Sequence, residues 1–102
     1  ITTPGRRADC DHVFHLYVIR SAQRDALQAH LSEKSIPTVI NYTKPLPLFQ
    51  AYNYLGHSAA DFPIASAHAD QILSLPIFPE LSDDEVKVVV AAIAEFSAIT
   101  AD

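Results

Sequence analysis

The run His12–Arg20, HVFHLYVIR, constrains the fold more than any other stretch of this chain. Its Val, Phe, Tyr and Ile side chains suit a pleated, half-buried surface, and no turn residue interrupts them. In a strand, Val13, His15, Tyr17 and Ile19 would point to one face, and Phe14, Leu16 and Val18 to the other. Both sets are largely apolar, so the strand reads as interior to a sheet or covered on both faces. Elements elsewhere must then cover it. The chain has 102 residues, 49% of them hydrophobic, which is material for one domain with one core.

The covering elements can be read in order. Ser21 to Lys34 has a helical pattern, with Ser21 as cap and Leu27 and Leu31 at i, i+4. Ser35-Ile36-Pro37 ends it, because the residue before a proline avoids the helical region. Thr38–Tyr42 is a short second strand. The following KPLP (Lys44 to Pro47) cannot enter a sheet interior, and Leu48 to Leu55 reads as one or two helical turns stopped by Gly56. Asp61 to Leu73 is helical again, with Asp61 as N-cap and Pro63 in the first turn. Ser74 to Pro79 is a third strand, whose prolines place it at an edge.

The strongest local signal opens the last helix. Ser82-Asp83-Asp84-Glu85 is a capping box, and Leu81 and Val86 sit where a hydrophobic staple would close. Val86, Val89, Val90, Ile93 and Phe96 recur at helical spacing to about Ser97, an apolar face to lay against the sheet. Ile1 to Asp11 has no period and reads as a lead-in, so the domain is expected over residues 12–102. The expected fold is α+β: a small antiparallel or mixed sheet of about three strands, with helices packed on one side.

Several kinds of chemistry find no support. A formal net charge of -5 disfavours nucleic acid and acidic membrane surfaces, and no apolar run approaches a membrane span. Cys10 stands alone, so it closes no internal disulfide and points to a reducing compartment, the cytoplasm. His12 and His15, three apart on a strand, face opposite ways and cannot share an ion. The other histidines have no i+4 histidine or carboxylate partner of helix-ligand type. Most of the histidines are expected at the surface, with His15 half-buried. Two glycines, at 5 and 56, leave no phosphate-binding glycine loop. The Asp83–Glu85 acids are accounted for by the cap. With no methionine and Ile1 at its start, the chain is expected to be part of something longer.

The segment Asn41 to Gln50 stands apart. Asn41, Tyr42, Thr43, Lys44 and Gln50 cluster around prolines directly after a strand, where binding residues commonly sit. A plain connecting loop stiffened by proline explains the same residues equally well.

Together, HVFHLYVIR, the RDALQAHLSEKSIPTVINYTKPLPLFQAYNYLG run and DFPIASAHADQILSLPIFPELSDDEV resemble the C-terminal small domain of the DegT/StrS-type sugar aminotransferases. The likeness runs from about His12 to Phe96. It implies the small domain of a fold-type I, pyridoxal-phosphate enzyme, cytoplasmic and dimeric. The implied reaction moves an amino group from glutamate to a nucleotide-linked keto-sugar. The Schiff-base lysine and the cofactor contacts would belong to a large domain of the same polypeptide, so this piece would hold no catalytic residue. Its own share would be a wall of the substrate cleft. Many members carry His-Tyr-Pro at the strand end and a histidine in the next Pro-Leu-His-Leu. Here Asn41-Tyr42-Thr43 and Pro45-Leu46-Pro47-Leu48 stand instead, so roles of those histidines do not transfer. Tyr42 remains as the leading substrate-lining residue, with Asn41 and Lys44 beside it. A free-standing α+β binding module without catalysis is the competing expectation.

Overall fold

Two short strands meet at the centre of the molecule: β1, Tyr17–Arg20, and β2, Ile72–Leu75. They pair antiparallel, with Ile19 opposite Leu73 and Tyr17 opposite Leu75. Those four residues share one face of the ribbon, because side chains two apart point the same way. Ile19 and Leu73 are almost fully buried there against Leu27, Leu31 and Phe96. The computed structural model describes residues 1–100. Ala101 and Asp102, the end of the expected 12–102 domain, lie outside them.

Three helices accompany the ribbon: α1, Arg24–Glu33; α2, Pro63–Ala69; and α3, Asp83–Ile99. The α+β class with a small antiparallel sheet is as expected, and the strand count is two. Thr38–Tyr42 contributes only a bridge, Val39 to Ser74, with backbone bonds of 3.1 and 2.8 Å. On the other side of β1 the lead-in does the same: Thr2 bridges Arg20, at 2.8 and 2.9 Å. Residues 3–16 therefore form a loop tied at both ends to β1.

Other boundaries moved for identifiable reasons. His12–Leu16 is not strand, because Phe14 takes a left-handed φ of 49° and its N–H donates to His12 Nδ1 at 2.7 Å. With no strand there, His15 is exposed rather than half-buried, and the opposite-faces argument for His12 and His15 lapses. The histidine that enters the packing is His30, 3.1 Å from the Ala92 carbonyl and tilted against Phe96. Ser21 does not cap α1: the N-cap position is Gln23, and the Ser21 hydroxyl, two residues earlier, accepts from Gln23 N–H. The α2 helix stops at Ala69 instead of Leu73. Leu73 is drawn into β2 by burial opposite Ile19, a tertiary pairing that outweighs helical pattern.

Asp61 works from inside a turn rather than as the N-cap of α2. The N–H and hydroxyl of Ser58 donate to its Oδ2 at 2.7 and 3.0 Å, holding the carboxyl below its ordinary range. Between the Val39 bridge and α2 the chain runs as an arm of 3-10 turns at Leu46–Leu48, Gln50–Leu55 and Ala59–Asp61. Gly56, at φ 69°, closes the second of them.

The α3 cap is formed as expected. Glu85 N–H donates to Ser82 Oγ at 3.3 Å, while Ser82 N–H donates to Glu85 Oε2 at 2.8 Å. Ala92 and Phe96 are buried, and Val89 and Ile93 pack against the core at the α1 contact. Val86 and Val90, expected in the same buried face, are 43% and 59% exposed.

Two outcomes follow. Leu31→Ala should destabilise the domain by about 2–5 kcal/mol in urea titration, whereas Glu33→Ala, two residues away and exposed, should stay within about 0.5 kcal/mol. Acid should act on α3 through Glu85, whose carboxyl is held below its ordinary 4.5 by the Ser82 hydroxyl and then the Ser82 N–H. A depressed folded pKa gives stability that is complete above 4.5 and lost as pH falls through the folded value. Glu85→Gln keeps the box's geometry, and should flatten that acid-side loss of helicity in circular dichroism.

Candidate functional site

The strand end after Val39 is held by a residue the sequence gives little reason to single out. Ser74, in the middle of β2, is 5% exposed. Its backbone serves the Val39 bridge, and its hydroxyl donates to Asn41 Oδ1 at 3.0 Å. A buried hydroxyl without such a partner would be costly. Its one sequence signal is a polar residue inside the apolar ILSL. With its carbonyl oxygen taken, the half-buried Asn41 has its amide N–H donors left to offer. The Asn41–Tyr42 peptide is cis.

From that anchor the expected residues diverge. Tyr42 is 68% exposed, its phenol free of the core. Lys44 is exposed and, among the described residues, has no carboxylate at ion-pair distance. Together with Thr43 it edges an open hollow of about 330 Å³, closed on the far side by Ser66 and Asp70 around α2. Tyr42, Asn41 and Lys44 thus share one short segment without lining one cavity. Gln50, in the same stretch, is exposed on the 3-10 arm.

Supporting contacts lie on the neighbouring edge. Arg20 Nη1 is 2.7 Å from His68 Nε2. Arg24, mostly buried, donates from Nη1 to the carbonyls of Ala69 and Ile72 at 3.1 and 3.2 Å. One planar guanidinium therefore ties the first turn of α1 to the end of α2 and the start of β2. In the 3–16 loop, Arg6 lies 5.2 Å over the Phe14 ring, which stacks on His12 at 4.5 Å.

Around a two-stranded antiparallel ribbon the chain thus carries a polar segment at Asn41–Lys44 and a proline arm of 3-10 turns. The chain belongs to the DegT/DnrJ/EryC1/StrS aminotransferase family, whose model matches residues 1–94. It is 43% identical over 96 residues to a "Pleiotropic regulatory protein" of Geobacillus stearothermophilus, covering 94% of this chain and 26% of that protein. It is 38% identical over 96 residues to the dTDP-3-amino-3,6-dideoxy-alpha-D-galactopyranose transaminase of Aneurinibacillus thermoaerophilus, covering 94% and 26%. Among solved structures, DesV of S. venezuelae in complex with a ketimine intermediate superposes with a TM-score of 0.90 at 34% identity, over 94% of this chain and 26% of that one. The chain thus spans about a quarter of the length of these relatives.

The residues present do not fit pyridoxal phosphate. Lys34 and Lys87 are engaged by Glu95 and Asp84 at 2.8 and 2.7 Å, and Lys44 stands on an open surface. Among the described residues the buried polar side chains are Ser21 and Ser74, so no buried carboxylate is available for a pyridinium nitrogen.

Ser74→Ala removes the one side-chain bond that ties Asn41 to β2. It should cost about 0.5–1.5 kcal/mol, and speed amide exchange at Asn41–Thr43 while leaving Leu27 and Leu31 protected, as read by hydrogen exchange.

Proposed function

We propose that this chain is the C-terminal domain of a longer, cytoplasmic, pyridoxal-phosphate transaminase acting on a nucleotide-linked keto-sugar, with glutamate as amino donor. The reading rests above all on the likeness to DesV along nearly the whole chain, joined to a relative named as a dTDP-sugar transaminase. Cofactor and Schiff-base lysine belong, on this reading, to a large domain of the same polypeptide, and the enzyme is a homodimer.

The part of this chain is recognition. Tyr42 offers a phenol and Asn41 an amide, neutral groups suited to sugar hydroxyls and phosphate oxygens. Lys44 adds a positive charge for a diphosphate. None of the three moves a proton in the reaction. Ser74 acts one step back, by fixing which side of the Asn41 amide faces outward. No helix among the described residues is long and apolar enough to cross a membrane.

The test uses the full reading frame that encodes these residues. Purified, it should carry the visible absorbance of bound pyridoxal phosphate and aminate a nucleotide-linked keto-sugar at the expense of glutamate. A reading frame with no cofactor-bearing part removes the proposal. Within an active enzyme, Tyr42→Phe should raise KM for the nucleotide sugar by roughly 2- to 10-fold with kcat little changed, the loss of one ground-state hydrogen bond.

A further inference from the structure

The α3 helix is apolar over more of its circumference than its neighbours cover. At ~100° per residue, Val88, Ala92, Phe96, Val89, Ile93, Val86 and Val90 span an arc of roughly 200°, about twice the stripe of a helix with one buried side. The contact with α1 and the core takes the inner part of that arc, at Ala92, Phe96, Val89 and Ile93. Both flanks stay open. On one, Val86 and Val90 edge a groove of about 280 Å³ with Tyr17, Leu75 and Ile77. On the other, Val88 and Phe78, 58% and 47% exposed, edge a hollow of about 420 Å³ with Ile36 and Pro37. A helix with this pattern is built to lie between two layers, and one layer is here.

We propose that the Val86–Val90 flank of α3, with Tyr17, Leu75 and Ile77, is the surface on which the remainder of the transaminase polypeptide docks. This rests on the reading of the chain as one domain of a longer enzyme. The match covers 26% of these relatives, so they hold ample chain to supply the second layer. A second copy of this domain is a poorer occupant. Each copy carries a net charge of -5, and Asp83, Asp84 and Glu85 fill the first turn of α3 directly before Val86. Like charge brought together on an apolar contact opposes association. The groove also lies at the Tyr17–Leu75 end of the ribbon, while Tyr42 lies beyond its Arg20–Ile72 end. Docking here leaves the candidate binding segment uncovered.

The experiment is site-resolved thiol labelling of the full polypeptide. Val90→Cys and Ala91→Cys are compared, the second exposed and about 100° further round α3, on the side that carries Lys87 and Asp84, with adducts read by mass spectrometry. Val90→Cys should label at least tenfold more slowly than Ala91→Cys, at every protein concentration. Equal rates overturn the proposal, and so does protection that disappears on dilution to monomers, which would mean that a second copy covers the flank. Carbene footprinting of the unsubstituted polypeptide at Leu75, Ile77, Val86 and Val90 gives the same answer if the cysteine variants do not fold. Neither readout depends on activity, so failure of the transaminase reading and failure of the docking surface are told apart.

Discussion

The antiparallel contact of Ile19 with Leu73 is the constraint on which the rest of the molecule depends. Two four-residue strands are marginal alone. Their register places both side chains, with Leu27 and Leu31, in a core where four residues are essentially removed from water. Each further element is fixed relative to that contact. The α1 and α3 helices close over it through Leu27, Leu31, Ala92 and Phe96, Thr2 extends one edge, and Val39 extends the other. The proline arm has no comparable anchor and projects as 3-10 turns with Tyr42, Leu46, Tyr54 and Leu55 exposed.

This arrangement is economical at the centre and open at the margins. The Cα radius of gyration is 15.7 Å, against about 13 Å for a compact domain of 100 residues. The loop over residues 3–16 and the arm over 43–62 leave Val13, Leu46, Tyr54 and Leu55 exposed. A domain with a small core and extended arms gains most when those arms lie against another body, which accords with a chain that matches a quarter of its relatives' length.

What the sequence reveals depends on how far apart the interacting residues are. The α3 cap was legible because Ser82 and Glu85 are three residues apart and their chemistry is self-contained. The end of α1 was legible for the same reason, in Ile36-Pro37. The ends of β1 and α2 were not. Nothing near Phe14 announces a left-handed backbone, and nothing near Leu73 says that Ile19, more than fifty residues earlier, will claim it for a strand. Tyr42, Asn41 and Lys44 could be singled out by type and position, yet the bond that orients Asn41 crosses 33 residues to Ser74. Arg24, bridging the ends of two elements more than forty residues away, left no local trace at all.

Ser74 combines two duties that most residues keep separate. Its main chain pairs with Val18 on one side and Val39 on the other, and its side chain reaches forward to position 41. The sheet edge is therefore held by backbone alone, which any residue at 41 leaves intact. The side chain at that position becomes a replaceable fitting on a permanent frame: a new one there alters the chemistry at the surface without asking the scaffold to be rebuilt.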